Sequence, residues 1–207
     1  IPSNLEPPLT DASAEFQTMM FDGCLRNFAE VGVPECAMGI TGSKTTVALV
    51  GDSTAAMWTP AFQKVAVERR WRLEMMGKGG CPPLDLPIIS YVLHREYTEC
   101  EQWRGEVVAR LRAERPHVVV LTMMRRYGSE SFPSGFTSYD QAWLDSLTRT
   151  TRQLRETGAS VLVLGGGISR NQVKFDIGSL LVDLGDGDAI HFNGFDPLDP
   201  NATPVLD

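Results

Sequence analysis

The stretch that decides the fold is Val47-Ala-Leu-Val-Gly-Asp-Ser-Thr54, an aliphatic run that stops at Gly-Asp-Ser and leads into apolar residues at helical spacing. A short apolar run bounded by turn residues is typical of a buried strand. The spacing from Ala55 to Arg70 predicts a helix, so Ser53 lies where a strand ends and a helix begins. Ligands bind at such carboxyl ends in open α/β sheets. The free N–H groups and the dipole of the helix would favour an oxyanion beside the Ser53 hydroxyl.

Outward from this stretch, strands and helices alternate. Helical spacing is present over 11–30, a Gly/Pro-punctuated connection over 31–44 and a loop over 84–96. Strands are predicted at 45–50, 71–76, 117–122 and 160–164. A helix is predicted at 98–114, with Thr98 as its N-cap, and another at 139–157, with Ser138 as its N-cap and Gly158 as its stop. The strands are continuous Val/Leu runs, which predict an α/β fold with a mainly parallel sheet covered on both faces.

Length and charge narrow the class of protein. A chain of 207 residues predicts one domain, with an N-terminal extension and connection over 1–44, a core over 45–191 and an irregular Pro-rich tail over 192–207. The net charge of -7 and the lack of a basic cluster argue against a nucleic-acid partner. The sequence has no membrane-spanning run and no signal peptide, and it opens at Ile1 rather than Met. We therefore expect it to be a piece of a longer precursor.

The four cysteines form two local pairs, Cys24 with Cys36 and Cys81 with Cys100. The spacing permits these two disulfides, although four cysteines allow three connectivities. Zinc is the rival interpretation, but C-x-x-C spacing is lacking and His is scarce, so no metal site is predicted. Buried free thiols in a cytosolic protein are the other alternative. Disulfides would indicate an oxidising, extracytoplasmic location.

Ser53 needs a base to act as a nucleophile, and the chain offers only three histidines. His117 opens an apolar strand after a Pro, which is typical of a structural residue, and His94 lies in a long loop, where a surface position is the simpler interpretation. His191 follows Asp188 by three positions. This spacing lets the carboxylate hold one ring nitrogen while the other is aimed at Ser53.

Gly51-Asp52-Ser53 near the start of the core, with Asp188-x-x-His191 near its end, resembles the SGNH/GDSL hydrolases. The segments 47–58 (VALVGDSTAAMW), 77–84 (GKGGCPPL) and 100–103 (CEQW) are similar to the SGNH domain fused to bacterial type-3 membrane O-acyltransferases, which acylate cell-envelope glycans. The resemblance implies a three-layer α/β/α sandwich and supports the Cys81–Cys100 pairing. No G-x-S-x-G is present, which disfavours the nucleophile-elbow hydrolases.

The resemblance also implies roles for individual residues. Ser53 would be the acylated nucleophile, His191 the general base and then acid, and Asp188 its orienting partner. The N–H of Ser53 would donate to the oxyanion, and a second donor would be the N–H of Gly79 or Gly80, where a glycine lets backbone approach a ligand. The alternative for this glycine pair is a plain turn. Asp52 is expected to fix the turn by hydrogen bonds.

The chain departs from the family pattern at three places. Thr54 stands where this branch usually has His after Gly-Asp-Ser. The third strand end reads Thr122-Met-Met-Arg-Arg-Tyr127, where the family offers an oxyanion-binding Asn. Arg125 or Arg126 would replace that donor or bind an anionic substrate, or else they are solvated loop charges. The Pro-rich tail replaces the helix expected after the histidine.

Two main functions remain open from the sequence. The first is an extracytoplasmic serine acyltransferase or esterase that moves acyl groups, acetyl in the first instance, on an envelope carbohydrate without a cofactor. Its partners would be a glycan acceptor and a membrane acyltransferase domain of the same parent chain, which supplies the acyl donor. The second is a weakly active or inactive module that binds glycan or the partner domain. A flavodoxin-like or phosphate-binding α/β domain is a third hypothesis, disfavoured because no Gly-rich phosphate loop follows the first strand.

Overall fold

The computed structural model describes residues 23–164 and, as backbone, 191–192. In these ranges the strands are β1 (Leu25–Arg26), β2 (Ala37–Gly39), β3 (Thr46–Gly51), β4 (Arg72–Lys78), β5 (Ile89–Ser90), β6 (Arg95–Glu96), β7 (Val118–Thr122), β8 (Ser160–Leu164) and β9 (His191–Phe192). The helices are α1 (Ser53–Arg69), α2 (Thr98–Glu114) and α3 (Gln141–Arg155). No helix in this part of the chain is both long and apolar enough to cross a bilayer.

The main sheet has the strand order β1-β4-β3-β7-β8-β9, and these neighbours all run parallel. β2 is antiparallel and pairs with the first half of β4, while β1 pairs with its end. The register aligns Gly51 with Gly77 on one side and with Thr122 on the other. The turn after β3 therefore opens between the ends of β4 and β7.

Helices cover both faces of this sheet, which confirms the predicted three-layer α/β/α fold with a mainly parallel sheet. On one face α1 packs its buried residues Ala55, Ala56, Phe62 and Ala66 against alternate positions of the central strands, such as Leu49, Met75 and Val120. On the other face α2 and α3 pack Trp103, Leu111, Trp143 and Leu147 against the intervening positions, such as Val50 and Leu121. Because both faces are buried, the strands read as continuous apolar runs.

A charged residue lies inside the sheet and ties α2 to it. The Glu74 side chain in β4 is fully buried, and its carboxylate accepts hydrogen bonds from Arg72 and, at 3.0 Å, from Arg110 of α2. Arg110 also donates to the carbonyl of Pro34 at 2.8 Å. A buried carboxylate needs such partners to offset its lost hydration.

Several local predictions were wrong for physical reasons. The described end of the predicted helix 11–30 contains β1, because Leu25 and Arg26 pair with the end of β4; residues 11–22 lie outside the described residues. The connection 31–44 contains β2, and the loop 84–96 contains the β5–β6 hairpin. Short strands like these depend on a partner strand and leave little periodicity in the sequence.

The predicted caps of two helices were also wrong. Thr98 is the first residue of α2, and Tyr97 precedes it without a side-chain cap. Asp140, not Ser138, caps α3, because its carboxylate accepts the Trp143 N–H at 2.8 Å. Gly158 follows α3 with a φ of +90°, as a helix stop requires.

Candidate active site

The Gly-Asp-Ser turn is built by a close backbone approach and a helix cap. A Cβ added to Gly51 would lie 2.1 Å from the carbonyl oxygen of Thr122, so only glycine fits beside β7. Asp52 then caps α1, and its Oδ1 accepts the N–H of Thr54 at 2.8 Å. Ser53 is consequently the first residue of α1, at the positive end of the helix dipole.

The Asp52 carboxylate is buried and holds four hydrogen bonds. Its Oδ1 accepts the N–H and the hydroxyl of Thr54, and its Oδ2 accepts the Met124 N–H at 2.8 Å and the Tyr127 hydroxyl at 2.7 Å. Burial raises the pKa of Asp52, and these hydrogen bonds work in the opposite direction. With its acceptor positions in use, Asp52 positions the turn, as its expected role implies, and is not placed to take a proton from Ser53.

Thr54 joins the turn to the neighbouring strand. Its Oγ1 donates to Asp52 at 2.7 Å and lies 3.1 Å from the Thr122 Oγ1. The residue that replaces the family histidine therefore ties the start of α1 to the end of β7. This contact gives Thr54 a structural role in the turn.

Ser53 itself is left available. Its side chain is half-buried, and no hydrogen bond joins its hydroxyl or its N–H to another residue in the described part of the chain. A hydroxyl without a partner at a helix N-terminus has the position that an acylated nucleophile requires, and its free N–H is a potential oxyanion donor.

The Gly79-Gly80 turn follows the end of β4 and lies at the same edge of the sheet as the Ser53 turn, because the register aligns Gly51 with Gly77. The Gly79 N–H, however, donates to the carbonyl of Arg26 at 2.8 Å. It is therefore committed to pairing with β1 and is not free for an oxyanion. Gly80 has a φ of +61°, and its N–H has no backbone partner among the described residues. Of the two predicted glycines, Gly80 is the one with an available donor.

On the other side of Ser53, the end of β7 serves the turn rather than an oxyanion. In the segment that follows β7, the Met124 N–H and the Tyr127 hydroxyl both donate to Asp52. Arg125 is exposed, and its guanidinium lies 6.0 Å from the centroid of the Tyr139 ring. Arg126 is also exposed. The described contacts bring neither arginine to Ser53.

The histidines are placed at different parts of the sheet. The His117 Nδ1 accepts the N–H of Thr46 at 3.3 Å, at the amino end of β3, which is the end opposite Ser53. His94 is exposed beside the β5–β6 hairpin, with a φ of +53°. These placements agree with structural and surface roles.

His191 opens β9, and its backbone pairs with Val163, which the register aligns with Val50 through β7. Three strand spacings separate His191 from β3, so the two backbones are on the order of 14 Å apart. Its side chain and the whole of Asp188 lie outside the described residues. The Ser53–His191–Asp188 triad stays a prediction.

Both predicted disulfides are present, joining Cys24 to Cys36 and Cys81 to Cys100. The described residues contain no cluster of three His, Cys, Asp or Glu side chains that could hold a metal ion.

Sequence reasoning missed a buried lysine beside the site. The Lys78 side chain is fully buried, and its Nζ donates to the carbonyls of Asn27 at 2.8 Å, Phe28 at 3.4 Å and Glu30. It also lies 5.2 Å from the centroid of the Tyr97 ring. Burial lowers the pKa of Lys78 to about 8. In the sequence, the only indication of this buried contact is the position of a lysine at the end of an apolar strand.

A parallel α/β sandwich with a Gly-Asp-Ser turn after its central strand, and with no partner for the Ser53 hydroxyl among the described residues, is typical of the SGNH class of hydrolases and acyltransferases. The family model for the SGNH domain fused to AT3 domains matches residues 23–185, and the chain belongs to this family. The solved periplasmic domain of a lipopolysaccharide acetyltransferase from Salmonella ser. Paratyphi A has a similar fold, with a TM-score of 0.52 at 17% identity. The match covers 75% of this chain and 57% of that one. No curated protein sequence matches the chain.

Proposed function

We propose that this domain transfers acyl groups to or from a cell-envelope carbohydrate through an acyl-Ser53 intermediate, with acetyl as the first candidate for the acyl group. The observation that carries the proposal is the Ser53 hydroxyl, which has no described partner and lies at the start of α1 between the ends of β4 and β7. Membership of the SGNH family supports acyl transfer. The fold shared with a lipopolysaccharide acetyltransferase domain is consistent with an envelope carbohydrate as acceptor.

In the first half-reaction the Ser53 Oγ attacks the acyl carbonyl carbon and gives its proton to the base, for which His191 oriented by Asp188 is our candidate. The tetrahedral oxyanion accepts hydrogen bonds from the N–H groups of Ser53 and Gly80. The bond to the leaving group then breaks, and the leaving group takes the proton from the base. This step leaves an ester on Ser53.

In the second half-reaction a sugar hydroxyl attacks the ester carbonyl, loses its proton to the base and leaves as the acylated sugar, while Ser53 regains a proton. Water in place of the sugar gives hydrolysis with the same residues. Access of water and binding of the acceptor therefore decide between transferase and esterase.

The two disulfides and the family's fusion to AT3 domains support an extracytoplasmic location. We propose that the membrane acyltransferase domain of the parent chain delivers the acyl donor to Ser53. This arrangement needs no cofactor, because the acyl group arrives already activated.

The test is covalent labelling of the 207-residue chain with an alkyl fluorophosphonate, together with p-nitrophenyl acetate turnover. We expect Ser53→Ala to abolish labelling and to lower turnover by at least about 10³-fold. The matched control is Ser43→Ala, because Ser43 precedes β3 at the opposite end of the same strand. Its labelling and turnover should equal those of the wild type.

His191→Ala and Asp188→Ala should each lower turnover strongly, and combining either with Ser53→Ala should add little, because triad members act as a unit. Full activity of His191→Ala would show that another group is the base. A folded wild type that is neither labelled nor active would reject catalysis and favour the binding module.

A further inference from the structure

Three half-exposed aromatic residues lie at the carboxyl end of the sheet, and the ring of Tyr91 contacts the rings of both Phe28 and Phe132. We call these three residues the aromatic platform. The Phe28 and Tyr91 rings meet edge to face, with centroids 5.6 Å apart. The Tyr91 and Phe132 rings are tilted by 57°, with centroids 4.1 Å apart. They come from three separate segments, so only the tertiary structure brings them together.

The platform adjoins the proposed oxyanion donor. A Cβ added to Gly80 would lie 2.7 Å from Phe28 Cε1 and 3.3 Å from Tyr91 Cε1, so two of the rings lie directly against this glycine. Burial raises the pKa of the Tyr91 hydroxyl, and the negative charge of Asp52, the residue before Ser53, raises it further. A molecule resting on the platform would therefore contact the turn at Gly80, which follows the end of β4, the strand next to β3.

Covalent and polar contacts hold the platform in place. The Cys24–Cys36 disulfide closes the segment that carries Phe28, whose backbone carbonyl also accepts a hydrogen bond from Lys78. The Cys81–Cys100 disulfide closes the segment that carries Tyr91.

Tyr97 joins these two segments. Its ring stacks on Phe28 with centroids 5.7 Å apart, and its hydroxyl donates to the Gly79 carbonyl at 2.9 Å. Each of two rings is thus anchored by its own disulfide, and Tyr97 ties both segments to the glycine turn. A preorganised binding surface of this kind loses little entropy when it binds.

We propose that the aromatic platform binds a pyranose ring of the acceptor saccharide and sets its hydroxyl toward acyl-Ser53. The C–H face of a pyranose is apolar and matches an aromatic ring, while the Tyr91 hydroxyl supplies a polar edge. The proposal rests on the proposed function for its orientation toward Ser53, but binding itself does not require catalysis.

The test is saturation-transfer NMR and titration of the 207-residue chain with cellotriose, mannotriose and tri-N-acetylchitotriose. We expect at least one of them to bind saturably through its ring C–H protons, and Tyr91→Leu or Phe132→Leu to weaken that binding about five- to tenfold. Leucine keeps apolar volume and removes the π face. Trp71→Leu is the control, because Trp71 is a half-buried aromatic residue just before β4, at the opposite end of the sheet.

Phe132 lies in a surface loop, so its variant keeps the test valid if Tyr91→Leu fails to fold, which thermal melting will reveal. The proposal would be overturned if both variants bound the saccharide as the wild type does, or if none of the three saccharides bound. It would also be overturned if the chain bound octanoate, an apolar probe, instead of a saccharide. Because binding is measured directly, sugar binding without Ser53 labelling would reject the proposed catalysis and retain the platform. Ser53 labelling without saccharide binding that depends on the platform would retain the proposed catalysis and reject the platform.

Discussion

Replacing Asp52 by Asn tests the turn that presents Ser53. Asn keeps the shape of the side chain but offers one acceptor oxygen instead of two. If that oxygen keeps the two bonds of Thr54, the new amide faces the Met124 N–H and the Tyr127 hydroxyl. The tyrosine can turn to accept a hydrogen bond, but the Met124 N–H cannot and loses its partner.

The magnitude follows from this single orphaned group. A buried donor without a partner costs about 1–3 kcal/mol. The neutral amide avoids part of the desolvation that the buried carboxylate suffers, which offsets some of the loss. We expect the free energy of unfolding to fall by about 2 kcal/mol at pH 7, which for a chain of this size lowers Tm by about 4–8 °C.

The pH dependence has a definite sign. Burial raises the pKa of folded Asp52 above its ordinary value of 3.8, so the folded state holds this proton more tightly than the unfolded state. The contribution of Asp52 to stability is therefore fully present below pH 3.8 and is lost as the pH rises through the folded pKa. The stability advantage of wild type over Asp52→Asn should accordingly shrink as the pH rises above that value.

The assay is urea unfolding followed by circular dichroism at several pH values, with fluorophosphonate labelling of Ser53 as a second measurement. Asp140→Asn is the matched control, because Asp140 also caps a helix and accepts two N–H groups, from Trp143 and Thr137, but in a more exposed place. Its Tm should fall clearly less. A Tm of Asp52→Asn equal to that of the control, or an advantage of wild type that grows with pH, would refute the reasoning.

Three further predictions concern the supports of the site. Lys78→Met should lower the free energy of unfolding, measured in urea at pH 7, by about 1–3 kcal/mol, because buried carbonyls lose their donor. This loss should increase between pH 8 and 10.5. In that range the folded wild-type lysine, with its pKa lowered to about 8, has given up a proton that the unfolded lysine still holds, so the wild type becomes more stable. Glu74→Ala should cost about 3–5 kcal/mol, whereas Glu74→Leu combined with Arg110→Leu should cost clearly less, and a larger loss in the double variant would contradict the buried pair. Cys81→Ala with Cys100→Ala should cost about 3 kcal/mol and slow Ser53 labelling, and intact mass after alkylation of the unreduced wild type should show no modified thiol.

The sequence predicted the parts of the fold that are set by short-range patterns. The run from Val47 to Val50 is apolar at every position because both faces of its strand are covered, so its strand and the helix after it were readable directly. The strand–helix alternation then fixed a parallel sheet, since parallel neighbours need a crossover between them. The short separations of the cysteines permitted the two observed disulfides and two other connectivities besides, and the structure decided among them.

Only the tertiary structure decided which backbone groups and side chains meet at Ser53. Gly79 and Gly80 are equivalent in sequence, but the pairing of Gly79 with Arg26 uses one N–H and leaves the other. The bonds from Met124 and Tyr127 to Asp52, and the contact of Phe28 with Tyr91, join residues far apart in the chain. Such contacts depend on strand order and register, and neither is written in local periodicity. Sequence alone therefore identified the Gly-Asp-Ser turn that carries the proposed nucleophile, and the packing of β1, β4 and β7 decided its surroundings.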